Sequence, residues 1–397
     1  MQPATARHLL QTVLPGKSVF DPFLGGGTVV LEAMRAGRLG IGSDLSPLAL
    51  FVARGRTWTA SDPELQQLLE ASQSICAAAA TKLETAYSRT ASSKHWEVLN
   101  AEIGNYLRAR KESFIMGGLR DGLWFLFGVA RQRAAKSRRK KNGDVAAHQL
   151  FYSVCAAYAS AVRTSSLLSP KRPYIFLQDA CQPLPGAWLQ NAVNDMENDE
   201  TGVEQRNLVK DADAVDVVLT SPPYPGVYDY LSHARLERSK LGRHCESSHG
   251  DDRDATRCDG HQDHPGTSIF VDSSLPSGRN WSSEWTDGEV GSMSDVRRRR
   301  RLQASRKIDT PNCKWETDQE KWLLTVANAV RPGGMVAIMI GDGDGVDTRS
   351  SLLRTIHLLN SQEAVPSLNI VGWATLRAKE GARRNQRTEH LILLDRS

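Results

Sequence analysis

No run of about 18 apolar residues occurs in the 397-residue chain, so a membrane-spanning helix is excluded. The opening Met1-Gln2-Pro3-Ala4 lacks the charged-then-apolar layout of a secretory signal. Cysteine is sparse: six are scattered, with no dense disulfide framework. A reducing, intracellular and non-membrane setting is the expectation, cytoplasmic or nuclear. Strong charge of one sign is missing too. Net charge is +5 and the pI about 8.9, so nucleic acid is implied only where charge clusters. Two phosphate-binding signatures are absent. Gly25, Gly26 and Gly27 do not complete G-x-G-x-x-G, because Val30 stands where the third glycine belongs, and no P-loop lysine follows. A nucleoside without phosphates is therefore the favoured ligand. His244, Cys245, His249, Cys258, His261 and His264 match no trusted zinc spacing, and no metal is expected.

What is present is enough for a core. The hydrophobic fraction is 40%, and the length exceeds one average domain. Short apolar runs alternate with helical spacing. Val19 to Phe23 reads as a strand ending at Asp21, with a Gly-rich turn from Leu24 to Thr28 and a helix from Val29 to Ala36. Leu39 to Asp44 is a second strand ending in an acid, followed by helical spacing from Pro47 to Arg54. Tyr174 to Ala180 is a third, with Asp179 near its end. Val215 to Leu219 is a fourth, ended by Pro222 and Pro223. Trp315 to Val330 has helical spacing, ended by Arg331-Pro332-Gly333-Gly334, and Met335 to Ile340 is a fifth strand. Asn369 to Leu376 and His390 to Leu394 close the sheet. Apolar, mostly non-alternating strands separated by helices imply a parallel α/β sheet. Ligands bind such sheets at the carboxyl ends of the strands, where Asp21, Asp44, Asp179 and Ser221 all fall.

Leu219-Thr220-Ser221-Pro222-Pro223-Tyr224 is the centre of this pattern. A proline-stiffened loop there offers a hydroxyl, backbone carbonyls and an aromatic ring. That set suits a flat ring bearing an amine: the amine donates to a carbonyl and a hydroxyl, and Tyr224 stacks on the ring face. A Pro-rich turn closed by a surface tyrosine is the plainer alternative.

Together these motifs resemble the S-adenosyl-L-methionine-dependent amino-methyltransferases of DNA, the N4-cytosine and N6-adenine group. Asp21-Pro22-Phe23-Leu24-Gly25-Gly26-Gly27-Thr28 is similar to their cofactor loop, D-P-F-x-G-x-G-T. Gly42 to Ala49 is similar to their second motif, whose acid, here Asp44, holds the ribose. Gln178-Asp179-Ala180 is similar to the third, whose acid bonds the adenine amine. Thr220 to Tyr224 matches T-S-P-P-Y, more typical of cytosine-N4 enzymes. The resemblance covers roughly residues 1–60, 174–236 and 315–397. It implies a class I, Rossmann-like, mostly parallel seven-stranded sheet with helices on both faces. It implies cofactor contacts at Asp21, Phe23, Gly25, Gly27, Thr28, Asp44 and Asp179. It implies a catalytic loop of Ser221, Pro222, Pro223 and Tyr224, acting on DNA. No Pro-Cys pair occurs, so the covalent route of cytosine-C5 enzymes is disfavoured.

Two stretches fall outside the resemblance. The domain reading is a methyltransferase core in three parts, 1–60, 171–236 and 313–397, interrupted by a helical insertion over 61–170 and a flexible polar insertion over 237–312. Basic runs at Arg131 to Lys141 and at Arg297, Arg298, Arg299, Arg300 and Arg301 are either solvated or phosphate-contacting; the five arginines are the candidate nucleic-acid contact. Only Met1 to Ser18 precede the first strand, where members of the group with this motif order have a longer segment. An RNA base methyltransferase and an inactive nucleic-acid-binding relative therefore stand as alternatives.

Overall fold

The structure is a computed structural model and describes residues 1–85, 92–110, 118–139, 146–166, 172–185, 214–224, 312–342, 347–377 and 388–397. Their contacts divide the described residues into two units.

The first unit carries a seven-stranded sheet. Its strands are β1 (Ser18–Asp21), β2 (Leu39–Asp44), β3 (Tyr174–Leu177), β4 (Val215–Thr220), β5 (Val330–Gly341), β6 (Leu368–Arg377) and β7 (Thr388–Arg396). They lie in the order β3-β2-β1-β4-β5-β7-β6. The first five run parallel, and β7 is antiparallel between β5 and β6. The fold is class I, Rossmann-like, of the methyltransferase type.

Both faces of the sheet are buried, which is why its strands do not alternate. On one face Val19, Val217 and Leu219 pack under α1 (Pro3–Thr12) and α2 (Thr28–Arg35). On the other, Phe20, Val218 and Ile338 pack under two further helices, here α8 (Asn312–Ala329) and α9 (Thr348–Asn360). Trp322 of α8 is fully buried there, a side chain whose burial contributes on the order of 2–3 kcal/mol. A short helix, α3 (Pro47–Arg56), begins at Ser46, whose hydroxyl accepts from the Ala49 N–H.

Two boundaries differ from the sequence expectation. Arg331 to Gly334 do not stand outside the sheet as a helix terminator. Strand β5 starts at Val330, which pairs with Val215, and Met335 pairs with Val217. A bulge absorbs the extra residues, so the turn chemistry lies inside the strand. Strand β3 ends at Leu177, not at Ala180, which leaves Asp179 in a turn beyond the sheet edge.

The second unit, within 58–170, consists of α4 (Asp62–Thr85), α5 (Ser92–Ala109), α6 (Leu119–Arg139) and α7 (Ala147–Ser166). Aromatic edges lock it: Phe127 meets Trp96, Trp124 and Phe151, and Tyr158 meets Phe125 and Trp58. No described helix is long and apolar enough to cross a membrane. The polar insertion from residue 237 to 311, with its histidines, cysteines and Arg297 to Arg301, lies outside the described residues.

Candidate active site

Parallel pairing aligns the carboxyl ends of β1, β2 and β4, and three of the expected residues meet there. Asp21 ends β1 and is 3% exposed. Its Oδ1 accepts from the Phe23 N–H at 3.1 Å and from the Thr220 hydroxyl at 2.7 Å. Thr220 ends β4, so one carboxylate oxygen ties the loop after β1 to the loop that begins at Ser221. Burial pushes the Asp21 pKa up to about 6, partly offset by those two hydrogen bonds.

Asp44 ends β2 beneath the Gly-rich turn. Its Oδ2 accepts from the Gly25 N–H at 2.8 Å and its Oδ1 from the Ser46 N–H at 2.8 Å. Burial raises its pKa, against the pull of these backbone donors. The turn itself needs glycine at Gly27: φ is +72°, and an added Cβ would come within 2.9 Å of the Ala53 Cβ. Above Gly25, by contrast, nothing approaches an added Cβ closer than 3.9 Å, so the turn leaves open space on that side. Thr28 opens α2, but its hydroxyl is already engaged. Arg56, at the end of α3, donates to it at 3.2 Å and to the Gly26 carbonyl at 2.5 Å. Sequence reasoning missed Arg56; a lone arginine in a last helical turn carries no signal of a contact 30 residues upstream.

Asp179 follows β3, the neighbour of β2, and the Gln178 N–H bonds the Asp44 carbonyl. Its Oδ1 accepts from the Cys181 N–H at 2.9 Å. Phe23 packs against the edge of Trp322, with ring centroids 5.5 Å apart.

In the loop after β4, Pro222 is buried and Ser221, Pro223 and Tyr224 are half-buried. The Tyr224 ring does not stand free. It lies on Gly341 at the end of β5, where an added Cβ would sit 2.8 Å from Cε2. The Ser221 hydroxyl donates to the Tyr224 hydroxyl at 3.3 Å. Just beyond Gly341, Asp342 Oδ1 accepts from the Thr348 N–H and hydroxyl at 3.1 and 2.9 Å. His390 Nε2 lies 3.2 Å from the same oxygen, and its Nδ1 lies 3.0 Å from the Thr375 hydroxyl. This anchoring of the β5 end was not legible in the sequence, since its members come from three strands and a helix. Among the described residues no group of His, Cys, Asp or Glu could hold a metal ion.

No known protein family matches the sequence, and no curated protein does. Among solved structures, the chain is similar to the rRNA methyltransferase aviRa from Streptomyces viridochromogenes, at 10% identity and a TM-score of 0.32, covering 99% of this chain and 85% of that one. It is also similar to TrmN from Thermus thermophilus, at 12% identity and a TM-score of 0.31, covering 100% of this chain and 49% of that one. The chain thus spans about half the length of TrmN. Likenesses this distant leave the site to be read from its own residues.

Proposed function

We propose that this chain is an S-adenosyl-L-methionine-dependent methyltransferase acting on an exocyclic amine of a nucleic-acid base. The observation that carries the reading is the bond from Thr220 to Asp21, which holds an amine-receiving loop against a nucleoside-type pocket. The pocket's donors and acceptors fit the cofactor. Each oxygen of Asp44 accepts one N–H and keeps a lone pair for a ribose hydroxyl. The open side of Gly25 admits a ligand against the backbone. Phe23, Gly27 and Thr28 shape the turn beside it, and Asp179 keeps an acceptor for a ring amine.

When bound, the cofactor supplies an activated methyl on a sulfonium. The chain supplies position. A base amine is a poor nucleophile because its lone pair is delocalised into the ring. Its N–H groups donate to the Ser221 hydroxyl and the Pro222 carbonyl, which favours the pyramidal amine and aims its lone pair. Pro223 stiffens this loop. Tyr224 holds the ring face after the base leaves its stack, and must first give up its contact with Ser221. No covalent nucleophile takes part.

Within this reading, the Thr220 to Tyr224 sequence points to cytosine N4 in DNA. A short serine hydroxyl suits an amine brought close to the backbone. The same loop chemistry serves an RNA base, which is the alternative. Incubation with isotope-labelled cofactor and matched DNA and RNA, followed by nucleoside mass spectrometry, separates the cases. N4-methylcytosine from DNA is expected. N6-methyladenine corrects the base, and labelled RNA with unlabelled DNA moves the substrate. No labelled nucleoside from either polymer, with no cofactor binding, overturns the reading.

A further inference from the structure

Gln319 of α8 is fully buried. Its Oε1 accepts from the Trp322 indole N–H at 2.8 Å. An indole nitrogen only donates, so this contact fixes which end of the carboxamide is oxygen. The other end, Nε2, carries two N–H donors and has no partner among the described residues. Native proteins keep few such groups, because a buried donor without an acceptor forfeits its hydration for nothing.

The neighbours of this orphan are specific. Trp322 meets Phe23, in the loop after β1. The carbonyl of Asp318, the preceding residue, accepts from the Cys181 thiol at 3.7 Å, and the Cys181 N–H rests on Asp179. Further along α8 the Thr325 hydroxyl donates to the Gln182 carbonyl at 3.2 Å. Gln319 therefore stands beside both the loop after β1 and the loop after β3, on a helix that none of the sequence motifs includes.

We propose that Gln319 reads the adenine ring of the cofactor, donating from Nε2 to a ring nitrogen while Asp179 accepts from the adenine amine. This rests on the S-adenosylmethionine reading above. A donor beside an acceptor complements the amine and neighbouring ring nitrogen of adenine. A base with a carbonyl and a ring N–H on that edge is mismatched with both.

The test is calorimetric titration of the full chain with S-adenosylhomocysteine. Gln319→Glu keeps the acceptor for Trp322 and loses the donor; Gln319→Met loses both. Each is expected to weaken binding roughly tenfold or more, with Tyr224→Ala binding as the parent does. Folded variants that bind like the parent overturn the role of Gln319 alone. A parent chain that does not bind overturns the cofactor reading and this proposal with it. The side-chain amide signals of Gln319 in a nitrogen-15 spectrum of the unmutated chain give a second readout. They are expected to move on saturation with S-adenosylhomocysteine, and unchanged positions overturn the contact even if neither variant folds.

Discussion

At the scale of residues, Asp21 is held at a cost. Its pKa in the fold is about 6, against about 3.9 in an unfolded chain. Below both values each state is protonated and nothing is lost. As pH rises between them the unfolded chain ionises first, so stability falls, by up to about 3 kcal/mol above pH 6. Asp21→Asn keeps acceptors for Thr220 and Phe23 and removes the charge. Its stability relative to the parent should rise with pH from 4 to 6, as read by urea unfolding; a flat difference would place the carboxylate in a wetter site. Retaining an ionisable group at such a cost is typical of functional positions. Asp44→Ala should weaken cofactor binding by about 1–3 kcal/mol, measured by calorimetry. Gly341→Ala puts a methyl 2.8 Å from the Tyr224 ring and must unseat it. Turnover should fall while cofactor affinity stays, and equal turnover would show that Tyr224 works without this seat.

At the scale of elements, α8 links the sheet to the candidate site. Its Trp322 fills the core against Phe20 and Val218 on one side and meets Phe23 on the other. Trp322→Ala should destabilise the first unit by about 3–5 kcal/mol and free the Phe23 ring. A drop under 1 kcal/mol in denaturant unfolding would mean that the helix is seated by other contacts. The end of β5 is an element-level device too. Asp342 gathers the start of α9 and His390 of β7 onto one carboxylate oxygen, and so fixes the strand end on which Tyr224 rests.

At the scale of the whole molecule, the unit bearing the sheet holds every described candidate residue, while the helical unit brings aromatic packing and, on α6, part of a basic run. We infer that polymer binding draws on arginines away from the pocket. Neutralising Arg297 to Arg301 should weaken DNA binding alike for all sequences and flatten its salt dependence. An unchanged salt slope in filter or fluorescence binding returns that run to solvent.

The sequence by itself determined the strand-helix alternation, the parallel sheet and the acids at three strand ends. It did so because buried parallel strands read as apolar runs and because turns need glycine and proline where the chain bends. Asp21, Asp44 and Thr220 were legible as candidates for that reason. Their joining was not: the bond from Thr220 to Asp21 spans 199 residues and exists only once β1 and β4 pair. Arg56 on the glycine turn, the seat of Tyr224 on Gly341 and the orphan amide of Gln319 belong to the same class. Each depends on which side chains packing brings to one point, and no local pattern encodes that distance. Tertiary structure alone decided them, through sheet order and the burial of α8.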